Sequence, residues 1–410
     1  MNPEKCEIFP VQQGNKAIID ALPYKLQRHT IKLLGISLGR DKQQTNNDNV
    51  HNKLANISKT LDRWSQRRLS LLGKILVTKT NAVAKIVHVM SITTMSKDQL
   101  TALQRLLTRF IWSKKPPKVK HSVMIAPQNE GGIKALDVVS QYKALRLPWI
   151  WRLIRSSNWN ATINMKLSQV GGISLLIQCN FDKGTINFLP QFYKEMFIYW
   201  QEIVGHLGVD ELIVWNNKNI KIANKTIFIE ELYQHNVVYM HDFFQNRIIL
   251  PYENFCNIYQ IRISRKLYLK VTKAIQKFVN RDQHIQAILD QAKPIHIRNK
   301  TRFRLLSGTW IDLRTAKSKH FYNEFLIFKT GFASALTQWQ ENYNITEETF
   351  YSSLPRTINA TNETQLIAFQ FKILHNIVNN NTNLKRWNIQ ESDECTRAFP
   401  EIGEICTRTL

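Results

Sequence analysis

Apolar side chains recur at helical spacing through much of the first 155 residues. Between residues 69 and 90 they lie three or four positions apart, which predicts one helix over about 69–89. These positions are Leu69, Leu72, Ile75, Leu76, Val83, Ile86, Val87 and Met90. A preceding helix is predicted over about 52–66 and a following one over about 97–112. Polar residues fill the intervening positions, so a small helical bundle is expected.

The predicted helix over 97–112 has start and stop signals. Ser96 is a favoured N-cap residue, and Pro116-Pro117 prevents the helix from continuing. Its inward positions are Leu100, Leu103, Leu107, Phe110 and Ile111. A fourth helix is predicted over about 137–155, where Pro148 is expected to cause a kink.

The rest of the chain predicts short strands at the front and further helices at the back. Strands are predicted at 6–11 and 31–38, followed by a polar connection at 41–51. After about residue 156 a hairpin is predicted over 212–222. Helices are predicted over about 188–207, 226–235, 251–279, 281–292, 318–339 and 362–379. The fold class is therefore mainly α, in three regions: 1–40, 41–155 and 156–410.

Positive charge changes this picture because it is concentrated in one region. The net charge is +25, and residues 25–155 carry +19 of it. A surplus of this size favours an anionic partner, for which nucleic acid is the usual choice and an anionic membrane surface the weaker alternative. A solvated positive surface is the other interpretation.

The candidate phosphate contacts are the cations in and after the predicted bundle. They are Arg63, Arg67, Arg68, Lys74, Lys79, Lys85, Lys114, Lys115 and Lys118. We expect several of them to share one basic side. Trp64 and Trp112 could stack on bases, although a tryptophan at helical spacing is more often part of a core.

Cysteine usage and the absence of targeting signals suggest the compartment. Five widely spaced cysteines indicate a reducing environment and no disulfide framework. The sequence has no apolar run of signal-peptide length at its start, and no transmembrane helix is expected. The protein is therefore expected in the cytoplasm or nucleus and not to be secreted.

Several stretches, in order, resemble the C-terminal part of a LINE-type (non-LTR) retrotransposon reverse transcriptase. Asn2 to Glu7 resembles motif D, with Cys6 where threonine is commoner. Residues 32–36 (Lys-Leu-Leu-Gly-Ile) resemble the primer-grip turn, motif E. Residues 64–75 resemble the thumb signature. Two later stretches match as well: Phe110-Ile111-Trp112 with Gly131-Gly132, and residues 366–376.

The resemblance implies a structural name and a function for each region. Residues 1–40 would be a remnant of the palm, 41–155 the thumb and post-thumb segment, and 156–410 a C-terminal region ending before a Cys/His motif. Lys5 matches the motif D lysine, which protonates the leaving pyrophosphate in the family. Leu33, Leu34 and Gly35 match the grip on the primer strand; the alternative for them is a core strand and a tight turn.

The chain departs from the family in its metal-binding motifs. Reverse transcriptases hold two Mg²⁺ ions on carboxylates of motif A and a Tyr-x-Asp-Asp type motif C, and neither is found here. No metal or cofactor is therefore expected for this chain, Mg²⁺ belonging to the full-length family enzyme, and Lys5 is expected to be inert. Cys395 and Cys406 are expected to be free thiols, because the family's Cys-x-x-Cys and following histidine are missing.

Two functions of different classes are compatible with these features. The first is a truncated reverse transcriptase that binds RNA or an RNA/DNA hybrid non-specifically through its basic thumb and does not polymerise. The second is a basic helical interaction or scaffold protein with no nucleic-acid role; a gene product with no stable cellular role is a third possibility. No catalytic role is assigned to His88, His121 or His375, which have no acidic or cysteine neighbours in sequence.

Overall fold

The computed structural model divides the chain into two compact units. It describes residues 6–10, 24–27, 29–155, 161–205, 212–281, 283–290, 300–331, 336–386 and 388–392. Unit 1 comprises Met1–Tyr142 together with Leu326–Leu410, and unit 2 comprises Lys143–Phe325. Each predicted region is continuous in sequence, whereas unit 1 is not, because the described residues after 326 pack with the front of the chain.

The fold is mainly α, as predicted, and its strands form small scattered hairpins. The helices are α1 Lys42–Ser65, α2 Leu71–Val77, α3 Ala84–Ile92, α4 Lys97–Ile111, α5 His121–Ile125, α6 Val138–Arg146, α7 Pro148–Arg155, α8 Ala161–Ser168, α9 Gly172–Leu176, α10 Gln191–Ile203, α11 Glu230–Gln234, α12 Tyr252–Tyr259, α13 Arg265–Val279, α14 Gln283–Leu289, α15 Ser318–Ile327, α16 Leu336–Tyr343, α17 Glu347–Asn359, α18 Thr364–Leu374 and α19 Asn381–Arg386. A π-helical turn, Thr78–Val83, joins α2 to α3, and short 3₁₀ helices occur at Gln128–Glu130, Lys183–Ile186 and Met240–Phe243.

The strands of the described residues form five two-stranded sheets. They are β1 Glu7–Ile8, β2 Lys25–Leu26, β3 Thr30–Leu33, β4 Ile36–Gly39, β5 Lys221–Ile222, β6 Lys225–Thr226, β7 Phe244–Gln245, β8 Ile248–Ile249, β9 Arg302–Arg304 and β10 Trp310–Asp312. β1 and β2 pair in parallel, and the other pairs are antiparallel hairpins. The single strand predicted over 31–38 is wrong, because the chain reverses within it to form β3 and β4.

Helix α1 begins ten residues before its predicted start. The Asp41 carboxylate caps it by accepting the Gln44 N–H at 2.9 Å. Asn49 then accepts from the Ser37 N–H at 2.9 Å and donates to the Ser37 carbonyl at 2.8 Å. The predicted polar connection at 41–51 is therefore wrong, since its polar side chains cap the helix and tie it to the edge of β4.

The helix predicted over 69–89 corresponds to α2, the π-helical turn and α3. The helix predicted over 97–112 corresponds to α4. Ser96 is the N-cap of α4 and forms a capping box with Gln99. The five predicted inward residues of α4 are buried. Leu76 was counted among the apolar positions at helical spacing, but its side chain is 61% exposed, whereas Ile75 is buried.

The segment Leu71–Ile92 is 22 residues long and apolar enough to cross a membrane by length and composition alone. The sequence predicted no such span. In the structure 44% of its most apolar window is buried inside the protein. A core helix of a folded protein meets the same criteria, so this is weak evidence for a membrane span.

Proline and asparagine explain two further differences from the predicted elements. The helix predicted over 137–155 is two helices, because α6 ends at Arg146 and Pro148 begins α7, where its missing N–H costs nothing.

The hairpin predicted over 212–222 is wrong. Asn216 and Asn217 are buried, and their side-chain amides donate to the carbonyls of Val170 and Ile213, so the hairpin forms later, between β5 and β6.

Two of the long predicted helices are each broken in two. The span 251–279 contains α12 and α13, separated where Gln260 adopts a left-handed φ of 53°. The span 318–339 contains all of α15 and the start of α16. The apolar core of unit 2 includes the buried aromatic side chains of Trp200, Trp215 and Phe303.

Candidate nucleic-acid interface

Four lysines of unit 1 come together around helix α2. We call Lys74, Lys115, Lys118 and Lys372 the lysine cluster. Burial and then the charge of Lys372 lower the pKa of Lys74. The pKa of Lys118 is lowered by burial, then by Lys115 and by Lys372. The charge of Lys372 therefore acts on both Lys74 and Lys118, and that of Lys115 acts on Lys118; a bound anion would relieve this repulsion.

The turn after α4 brings two members of the cluster into position. Ser113 and Lys114 both adopt left-handed φ values, 53° and 66°, which reverse the chain directly after Trp112. The Lys74 ammonium donates to the Ser113 hydroxyl. The Lys118 ammonium donates to the Asn379 side-chain oxygen at 3.0 Å. Both of these oxygens belong to neutral side chains, and the two hydrogen bonds fix the positions of the ammonium groups.

Lys372 joins the cluster because α18 packs on α2. Phe371 of α18 and Ile75 of α2 belong to one apolar cluster. The Ser70 hydroxyl donates to the Thr364 hydroxyl at 3.2 Å, which sets the start of α18 beside the start of α2. Sequence reasoning missed Lys372, because almost 300 residues separate it from Lys74 and no local pattern marks it.

The other predicted cations lie in different surroundings. The Lys85 ammonium donates to the Thr60 hydroxyl at 2.6 Å, on α1. The Arg67 guanidinium lies 4.5 Å from the centre of the Trp64 ring, a cation–π contact. Arg63, in the last turn of α1, and Arg68, three residues after the helix, are both exposed. Lys79 lies close to Lys134, and burial and then that neighbour lower its pKa.

The π-helical turn explains why Lys74 and Lys85 have different neighbours. In an unbroken α-helix, residues eleven positions apart lie within about 20° of each other. The turn at Thr78–Val83 accommodates one extra residue, which rotates the subsequent part of the helix by about 100°. Lys74 therefore lies beside α18, whereas Lys85 lies beside α1.

The predicted primer-grip residues form the tip of a hairpin. Leu34 and Gly35 have φ values of 49° and 79°, which is the backbone pattern of a type I′ turn between β3 and β4. Leu33 is 58% exposed and Leu34 is 82% exposed. The alternative of a core strand is therefore wrong for these leucines, although the tight turn is present.

The two tryptophans differ in their surroundings. Trp112 packs on an apolar cluster, and its indole N–H donates to the Met124 sulfur at 3.3 Å, which supports a core role. Trp64 is half-buried, and its ring carries the Arg67 guanidinium. Of the two, only Trp64 has a ring face placed beside a predicted phosphate contact.

Two of the histidines have structural partners that sequence spacing did not reveal. The His121 ring nitrogen lies 3.2 Å from the Asp137 carboxylate, which also accepts from Lys329 at 2.9 Å and from the Ser140 N–H at 2.7 Å. Burial would raise the pKa of Asp137, but these hydrogen bonds outweigh it and hold the pKa well below its usual range. His375 is buried and bonds through Nε2 to the Gly131 carbonyl at 2.7 Å.

The described part of the chain contains no candidate metal centre. Among these residues, no three histidine, cysteine or acidic side chains are grouped so that they could hold an ion. The predictions for Lys5, Cys395 and Cys406 are not tested, because these residues lie outside the described part of the chain.

Part of the chain is similar to a protein of known sequence. No protein-family model matches the chain. A stretch of 132 residues is 28% identical to an Arabidopsis thaliana protein named "Putative ribonuclease H protein". The match covers 30% of this chain and 21% of that protein, so the chain spans about a fifth of the relative's length.

Proposed function

We propose that this protein binds the phosphate backbone of RNA or of an RNA/DNA hybrid through the lysine cluster of unit 1. The observation that carries the proposal is the convergence of Lys74, Lys115 and Lys118 with Lys372. These side chains come from three separate segments. Burial lowers the pKa of Lys74 and of Lys118, and the charge of Lys372 lowers both further. Holding like charges together is unfavourable in isolation, and a polyanion makes it favourable.

The sequence resemblance supports a retrotransposon origin for this binding. The ordered motifs resemble the end of the palm and the thumb of a non-LTR reverse transcriptase, and the Arabidopsis relative carries a ribonuclease H name. The hairpin tip at Leu33, Leu34 and Gly35 would lie against the primer strand. The proposal includes no polymerisation by this chain, because the Tyr-x-Asp-Asp type carboxylates have no counterpart in its sequence.

Fluorescence anisotropy with a labelled RNA/DNA hybrid, measured across a salt series, tests the proposal. The logarithm of affinity should fall linearly with the logarithm of salt, by about 0.7–0.9 per phosphate contact. Replacing the four cluster lysines by glutamine (K74Q/K115Q/K118Q/K372Q) should reduce the slope by about 3.

A matched variant separates the cluster from net charge. K25Q/K42Q/K59Q/K97Q removes the same charge from exposed positions of unit 1. Equal loss in both variants would contradict a specific role for the cluster. A salt-independent response of the unaltered protein would favour the scaffold function instead, and primer extension above background would contradict the absence of polymerisation.

A further inference from the structure

Helix α13 of unit 2 carries cations without neighbouring acids. Residues 254–281 contain seven lysines and arginines and no aspartate or glutamate. Four of these are spaced along α13 at intervals of four, three and four residues. We call Lys266, Lys270, Lys273 and Lys277 the lysine row. The sequence reasoning predicted a helix here but assigned no site to it.

The spacing of the lysine row places all four side chains along one line. At 100° per residue, the four positions lie within about 60° of the helix circumference. At 1.5 Å per residue, they extend over about 16 Å of the helix axis. A duplex carries one phosphate per 3.4 Å on each strand, so this length corresponds to about five phosphates.

The opposite face of α13 fixes the row at the surface. Tyr268, Val271, Ile275 and Val279 are buried in the apolar core of unit 2. The Tyr268 hydroxyl donates to the Leu250 carbonyl, and the Ser264 side chain caps the start of the helix. Because that face is held by packing, the lysines cannot rotate inward, and all four are exposed.

The row has no partner within the described part of the protein. None of its four ammonium groups forms an ion pair or a hydrogen bond there. A linear array of uncompensated positive charge matches a linear polyanion. A membrane-binding helix would need a free apolar face, but that face is buried here, and Leu269 is the one large apolar side chain of α13 that is exposed.

We propose that the lysine row is a second contact surface for a nucleic-acid backbone, separate from the lysine cluster. It would bind phosphates without regard to base sequence, because lysine ammonium groups along a helix contact backbone charge only. This site lies in unit 2, so it adds to the function proposed for unit 1 and does not depend on the residues named there.

Salt-dependent anisotropy on the full chain tests the proposal with a labelled RNA/DNA hybrid. K266Q/K270Q/K273Q/K277Q should reduce the slope of log affinity against log salt by about 3, at roughly 0.7–0.9 per contact. The control K183Q/K225Q/K317Q/K319Q removes the same charge from exposed lysines of unit 2 that do not form a row. It should leave the slope within about 1 of the unaltered protein. Unchanged melting curves would show that both variants fold.

The outcomes distinguish this site from the lysine cluster. If the row variant keeps the original slope while the cluster variant loses it, the row proposal is overturned and the proposed function stands. If the row variant loses the slope while the cluster variant keeps it, the row proposal is supported and the function proposed for the lysine cluster is overturned. Equal loss in the row variant and its control, or loss of binding to phosphatidylserine vesicles alone, would also overturn the row as a nucleic-acid contact.

Discussion

Leu34 has a backbone conformation that its side chain disfavours. A β-carbon at left-handed φ costs about 1–2 kcal/mol, and no packing compensates a side chain that is 82% exposed. The sequence shows the turn through Gly35, but it does not show that the leucine before it shares the left-handed region. Backbone strain of this kind is found most often at functional sites such as ligand-binding surfaces.

Replacing Leu34 by glycine should therefore stabilise the protein by about 1 kcal/mol. The matched change Leu33→Gly, in a strand, should destabilise it by about 0.5–1 kcal/mol. Chemical denaturation measures both. If the tip contacts a primer strand, Leu34→Gly should also weaken binding of the hybrid. If both variants change the free energy of unfolding in the same direction, Leu34 is not strained.

His375 should make the stability of unit 1 depend on pH. Burial lowers its pKa in the folded protein, against the opposing effect of the Gly131 carbonyl, from an ordinary value of 6.5. The unfolded chain therefore binds the proton more readily, so stability is retained above about pH 7 and decreases as the pH falls below about 6.5.

Melting temperatures between about pH 8 and pH 5 measure this dependence. His375→Gln should flatten the curve because the glutamine amide can donate to the same carbonyl without titrating in this range. His88→Gln, at an exposed position, should keep the original curve. A curve unchanged in the His375 variant would show that other groups cause the pH dependence.

At the scale of elements, capping and spacing predicted more than turns did. The Ser96 N-cap and the inward face of α4 could be predicted because both depend on residues within one helix. The contact of Asn49 with Ser37, which ties α1 to β4, could not be predicted, because it joins two separate elements. Lys372 was missed for the same reason.

The turn at Gly131-Gly132 should be intolerant of any side chain. A β-carbon at Gly132 would lie 2.0 Å from the Ala126 carbonyl oxygen and 2.7 Å from that of Val123. Both are backbone atoms that cannot move aside, so Gly132→Ala should destabilise unit 1 by at least about 2 kcal/mol. Gly73→Ala, inside a helix, should change stability by less than about 1 kcal/mol. Denaturant unfolding of both variants tests the difference.

At the scale of the whole molecule, the two basic surfaces lie in different compact units. The charge asymmetry of the sequence drew attention to residues 25–155, which contain three of the four lysines of the lysine cluster. Regional net charge did not reveal the lysine row, because acidic residues elsewhere in unit 2 cancel its positive charge in the sum. Local arrangement therefore predicts an electrostatic surface better than regional net charge does.

The chain comes back to unit 1 after residue 326, and this order affects folding during synthesis. During synthesis the ribosome completes unit 2 before it produces Phe371 and Ile377, which belong to the same apolar cluster as Ile75. The apolar side chains of unit 1 that pack with Phe371 and Ile377 therefore stay uncovered until those residues have been synthesised. That waiting period is when the nascent chain would most need a chaperone.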